Sequence, residues 1–160
     1  MTEVRYEARS VGGKRYFVRL LPGTELIEGI KAVCEKYDVY AGAVTSILGS
    51  LKKVSYTWPT QDPENEGKYA YLDPFVLEEQ VEIVSGAGSI GVMSKTGEIF
   101  VHLHAAFSDG KGIVHGGHIV DSGNPTALTV ELLIEAFDDI SLERVFDPET
   151  EMELFKVSRA

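Results

Sequence analysis

All four histidines of this 160-residue chain, His102, His104, His115 and His118, fall within one 17-residue stretch. Imidazole is the commonest side-chain ligand for zinc, copper and iron, and its neutral form carries the lone pair that binds. Residues two apart on a β-strand project to the same face, so His102 and His104 point the same way if the segment Glu98–Phe107 is a strand. The alternate residues Val101, Leu103, Ala105 and Phe107 then form a core stripe. Two imidazoles so placed come within reach of one ion at bond lengths of about 2.0–2.1 Å.

A third ligand must come from a neighbouring strand. The turn Ser108–Gly112 lets residues 113–120 fold back beside the histidine strand, which makes His115 and His118 both candidates. Gly116 and Gly117 leave room for close approach just before His118, so His118 is the choice and His115 is assigned to the surroundings of the site. Three imidazoles leave a fourth position open, as in catalytic zinc centres whose bound water ionises near pH 7. The plainer alternative is a polar cleft of histidines, each satisfied by hydrogen bonds.

Carboxylates could move protons beside such a centre. Glu78, Glu79 and Glu82 precede a glycine-rich segment, and Glu82 sits among Val81, Ile83 and Val84. Partial burial would raise its pKa unless it is paired, which suits a general base, a fourth metal ligand, or a partner for Arg19. Glu82 is the candidate catalytic carboxylate; Asp109 and Asp121 read as turn residues. Gly86-Ala87-Gly88-Ser89-Ile90-Gly91 fits the G-x-G-x-x-G pattern. That fingerprint needs a helix next, whereas a further strand follows, so the glycines read as a bend or bulge in a sheet.

The elements that position these groups are mostly strands. Arg15–Leu20 is a strand, Pro22-Gly23 a turn, and Thr24 an N-cap for an amphipathic helix over 24–37. Its apolar stripe includes Cys34, read as a buried, inert thiol. Strands follow at Ala41–Gly49 and Leu51–Trp58, then a polar loop at 59–68. Further strands are expected at Tyr69–Leu72, Val76–Val84, Gly86–Met93, Ile113–Val120 and, against a helical alternative, Thr126–Phe137. A terminal hairpin joins Ser141–Phe146 to Glu153–Val157. The expected fold is α/β of the α+β type, a single domain over 1–160 with a largely antiparallel sheet or partial barrel and one early helix.

Net charge is −10, from 15 basic and 25 acidic residues, which repels phosphate backbones and disfavours direct nucleic-acid binding. The locally basic run Arg5, Arg9, Lys14, Arg15, Arg19 reads as a solvated edge strand. One cysteine excludes an intrachain disulfide. Pro125 blocks the Asn124 glycosylation triplet, no stretch reads as a leader or a membrane span, and the cytoplasm is the expected compartment.

Four segments in order, PGTELIEGIKAVCEKYDV, AGAVTSILGSL, VEIVSGAGSIG and HLHAAFSDGKGIVHGGHIV, resemble the PPC (plants-and-prokaryotes-conserved) domain, its stand-alone prokaryotic type, from about Tyr16 to Val157. The resemblance implies an α/β fold with an antiparallel sheet, a homotrimer, and zinc on His102, His104 and His118. In plant members the domain follows an AT-hook; no Arg-Gly-Arg-Pro string occurs here. The fold is also similar to that of acetolactate decarboxylase, a three-histidine zinc enzyme. This analogy implies an ion that chelates a small hydroxy- or keto-acid, with a carboxylate such as Glu82 moving the proton and Arg19 or Arg144 available for a substrate carboxylate. The alternative function is a DNA-associated regulatory or assembly module without catalysis.

Overall fold

In the computed structural model, residues 5–10 and 14–159 are described, Tyr6–Ser10 by backbone alone. The strands are β1 (Tyr6–Ser10), β2 (Arg15–Leu20), β3 (Gly42–Leu51), β4 (Val54–Thr57), β5 (Pro59–Gln61), β6 (Tyr69–Tyr71), β7 (Phe75–Leu77), β8 (Val81–Met93), β9 (Ile99–Ser108), β10 (Val114–Ile119), β11 (Thr126–Ala136), β12 (Ile140–Asp147) and β13 (Met152–Arg159). The helix α1 spans Leu26–Lys36. The main sheet runs β1-β2-β11-β3-β8-β9-β10-β4-β7 and is open at both ends rather than closed into a barrel. Its neighbours are antiparallel; among the described residues the one parallel contact joins β12 to the end of β8. The fold is α+β, a largely antiparallel sheet with one early helix.

One face of the sheet is covered by α1. Leu26, Ile27, Ile30, Val33 and Cys34 of the helix are buried with Val101, Leu103, Ala105 and Phe107 of β9. Burying a side chain of this size contributes about 1.5–3 kcal/mol, and alternation on β9 leaves its even-numbered residues on the opposite face. Burial also pushes the Cys34 thiol up to about 12, so it is protonated at any physiological pH.

Several local expectations are corrected. The helix begins at Leu26 with Glu25 as N-cap, and no side chain caps it. Thr24 instead donates to the Arg5 carbonyl at 2.7 Å and accepts from the Arg5 amide, which ties down the incoming chain. Glu25 accepts from the Asn124 amide, and the buried Asn124 side chain accepts from the Ser55 amide and donates to the Val120 carbonyl. The 59–68 loop is shorter than expected, because Pro59–Gln61 pairs with Tyr69–Tyr71 as a separate ribbon. Val76–Val84 is not one strand: Glu78–Gln80 break it, and Val81–Met93 is a single strand through the glycines.

The glycine-rich segment is therefore not itself the bulge; the register shift lies between Ile83 and Ser85. Gly88 is needed for close approach, since a Cβ there would stand 2.3 Å from the His102 carbonyl oxygen on β9. Thr126–Ala136 is a strand, paired with β2 and β3, and the terminal hairpin forms as β12–β13. The edge-strand expectation for the basic run is corrected in part: β1 is an edge, but Arg15 and Arg19 lie on β2, which is paired on both sides by β1 and β11, and the side chain of Arg9 lies outside the described residues.

Candidate metal centre

The turn between β9 and β10 sets the register on which the centre depends. Asp109 accepts from the amides of Lys111 and Ile113 through Oδ1, and its own amide donates to the Ile113 carbonyl. The five-residue connection that results pairs Ser108 with Val114, Ala106 with Gly116, and His104 with His118. Directly paired residues point to the same face, so His118 joins His102 and His104 on the side away from α1. Gly117 permits β4 to lie against β10: a Cβ there would meet the Thr57 carbonyl oxygen at 2.6 Å.

The three rings converge. Centroids are 4.8 Å apart for His102 and His104, 5.0 Å for His102 and His118, and 5.5 Å for His104 and His118. The Nε2 atoms of His102 and His104 approach to 3.0 Å, and one candidate ligand nitrogen per ring lies within 4.8 Å of the others. Tetrahedral coordination with bonds of about 2.0–2.1 Å separates ligand nitrogens by roughly 3.3 Å, so the cluster is on the right scale. His118 Nδ1 is buried with no hydrogen-bond partner, an orphaned polar atom of the kind that needs an explanation.

The electrostatics favour the neutral form of two of these rings, His102 and His118. Burial lowers His102 to about 4, helped by the neighbouring His118, His104 and Arg144. Burial likewise lowers His118 to about 4, with His104 and Arg144 adding to it. A neutral imidazole is the form that ligates. Among the described residues no Cys, Asp or Glu joins the three-histidine group. The donor set and its protonation therefore fit a divalent ion with a coordination position left over.

A cleft of about 210 Å³ opens beside His102, lined also by Tyr71, Arg144, Met152, Glu153, Leu154 and Phe155. The Tyr71 ring centre lies 5.7 Å from that of His118. Most of these residues come from β12 and β13, and nothing in the local sequence around the histidines announces them.

His115 is not brought to the triad. Its register partner is Phe107, a core residue, so it occupies the opposite face of the sheet. There it lies over the Phe107 ring at 6.2 Å, and its Nε2 is 3.0 Å from Asp109 Oδ2. This hydrogen bond, with the turn amides, holds Asp109 down at about 2. Asp109 is thus a turn residue, as expected, and also the partner of His115.

Glu82 is not brought there either. It is exposed and stands opposite Ser108, four residues beyond His104 along β9; at about 3.3 Å per residue that is roughly 13 Å away. Glu78 pairs with Lys53 at 3.5 Å. Arg19 donates to Thr129 on β11 and is remote from the cleft, whereas Arg144 lines it. The carboxylate that lines the cleft is Glu153.

Comparison with known proteins agrees with this architecture. The chain is 29% identical over 148 residues to the bifunctional protein GlmU of Synechococcus sp. (strain JA-3-3Ab), covering 91% of this chain and 21% of that protein. It thus spans about a fifth of the length of the curated relatives it matches. In fold it is similar to a candidate DNA-binding protein from Bacteroides thetaiotaomicron (TM-score 0.76, 20% identity, 94% of this chain and 96% of that one). It is equally similar to a metal-containing protein from Archaeoglobus fulgidus (TM-score 0.75, 23% identity, 98% of this chain and 99% of that one). The profile of the Plants and Prokaryotes Conserved (PCC) domain, the PPC domain named above, matches residues 8–138. With that profile matched over most of its length, the chain belongs to the plants-and-prokaryotes-conserved domain family.

Proposed function

We propose that this protein binds one zinc or similar divalent ion through His102, His104 and His118, and presents it to a small hydroxy- or keto-acid in the adjoining cleft. The observation that carries the reading is the convergence of three imidazoles from two adjacent strands, with no carboxylate among them within the described residues. When bound, the ion supplies Lewis-acid polarisation of a substrate oxygen. The chain's own residues do the rest. The strand pair β9–β10 fixes the rings, burial lowers the pKa of His102 and His118, and the β12–β13 hairpin walls off the cleft. The metal-containing relative from Archaeoglobus supports the first half of this reading.

We further propose a homotrimer, working in the cytoplasm. Phe17, Leu48, Val84 and Leu128 are large apolar side chains at 47–68% exposure, and exposed apolar area is what association surfaces are made of. The competing reading, a DNA-associated module without catalysis, draws on the candidate DNA-binding relative. The net charge of −10 opposes direct contact with a phosphate backbone.

Elemental analysis and zinc titration test the centre, and sedimentation equilibrium tests the trimer. About one ion per chain is expected, by the stoichiometry of three-histidine sites, lost in His102→Ala and kept in His115→Ala. Absence of zinc after reconstitution overturns the metal reading, and retention of zinc in His102→Ala overturns the ligand set. A molecular mass other than three chain masses overturns the trimer.

A further inference from the structure

Above the histidines, the wall of the cleft is built by the terminal hairpin, which lies beyond the stretch that the family profile matches. Two-residue parallel pairing seats it: Glu143 stands opposite Val92 and Arg144 opposite Met93 of β8. Gly91 makes room for it, because a Cβ there would lie 2.3 Å from the Leu142 carbonyl oxygen and 2.5 Å from the Phe155 ring.

The hairpin delivers Arg144 to the histidine face. Its guanidinium carbon sits 4.1 Å from the centre of the Phe100 ring, and Phe100 is two residues before His102 on β9, hence on the same face. Phe155 closes on Phe100 from the other strand, with ring centres 5.9 Å apart. The Arg144 side chain is only 20% exposed. Its carboxylate neighbour is Glu153, at 3.9 Å, beyond hydrogen-bond distance, and Glu153 also stands 3.6 Å from Lys95. A guanidinium offers five N–H donors in a planar fork suited to a carboxylate. Here such a fork is held by an aromatic face and lines the same small cleft as a metal-type histidine, with its carboxylate neighbour Glu153 no nearer than 3.9 Å.

We propose that Arg144 is the anion anchor of this cleft, so that its ligand is a small acid with two acidic ends: one directed to the ion, the other a carboxylate paired with Arg144. This rests on the metal reading above and adds the substrate class to it. At about 210 Å³ the cleft is smaller than the 300–1,000 Å³ pockets that take drug-sized ligands, which fits a compact diacid. An arginine, together with an ion, makes the cleft locally cationic within an acidic chain and selects for anions.

The test uses zinc-loaded protein and calorimetric titration with lactate and with malate, which share a hydroxy-acid end and differ in the second carboxylate. Malate is expected to bind about tenfold tighter than lactate, the difference a charge-assisted bidentate pair makes. Arg144→Gln should erase that preference, lowering malate affinity more than lactate affinity with zinc content retained, and Arg144→Lys should keep part of it. Because zinc content is read in every variant, a misfolded variant is recognised, and Arg144→Lys, which keeps the aliphatic stem, then decides the matter. Zinc-loaded protein that binds malate no better than lactate overturns the proposal, as does a preference that survives in Arg144→Gln. Protein that takes up no zinc fails at the metal reading instead.

Discussion

His118→Ala separates a metal centre from a polar cleft of histidines more sharply than any other single change. In the metal-free protein His118 Nδ1 is buried without a partner, and an unsatisfied buried polar group costs about 1–3 kcal/mol. Truncation removes that cost along with some packing, so the metal-free variant should be no less stable than wild type. With zinc the comparison reverses. A ligand at 100 times its Kd stabilises the folded state by about 2.7 kcal/mol, and each kcal/mol moves the Tm of a chain this long by roughly 2–4 °C. Wild type should therefore gain about 5–11 °C on adding zinc at that ratio. Loss of one of three ligands should weaken zinc by more than the roughly 10–100-fold that supporting residues typically cost, leaving His118→Ala almost no gain. Differential scanning calorimetry with and without zinc reads both terms. An equal zinc-induced shift in His118→Ala would refute the assignment. So would a metal-free variant much less stable than wild type, since that is the signature of a histidine satisfied by hydrogen bonds.

Three further predictions concern the frame. Gly88→Ala places a Cβ against the His102 carbonyl of β9; overpacking of this kind should cost about 1–3 kcal/mol, read as a lower urea midpoint at unchanged m. Asp109 is held at about 2, first by the hydrogen bond from His115 and then by the turn amides. Its contribution is fully present above the unfolded value of about 3.9 and is lost as pH falls through the folded value. Asp109→Asn keeps the turn acceptor but should flatten the urea midpoint between those limits; parallel profiles for variant and wild type would count against the pairing. Cys34, fully buried and pushed up to about 12, should resist iodoacetamide in the folded protein and react completely in denaturant, as followed by mass spectrometry.

Alternation over Glu98–Phe107 is a local property, and it alone sufficed to place His102 and His104 on one face with the core stripe behind them. The helix stripe around Cys34 was legible from its own 3.6-residue period, whereas Thr126–Phe137 read as a strand against a helical alternative that pairing with β2 and β3 removes. The third ligand was half legible. His115 and His118 differ by an odd number of positions, so they must lie on opposite faces of one strand, but which of them faces the histidines depends on how Asp109 closes the turn. Non-local pairing decided what local patterns could not. Glu82 looked partly buried from its apolar neighbours, yet the register of β8 with β9 leaves it exposed and opposite Ser108. Arg144, far along the chain from His102, the histidine whose cleft it lines, reaches that cleft through a two-residue parallel contact that no periodicity encodes. Sequence fixes which side chains share a face of one element, because that follows from backbone geometry. Which elements meet across space depends on the packing of the whole sheet, and that belongs to the tertiary structure.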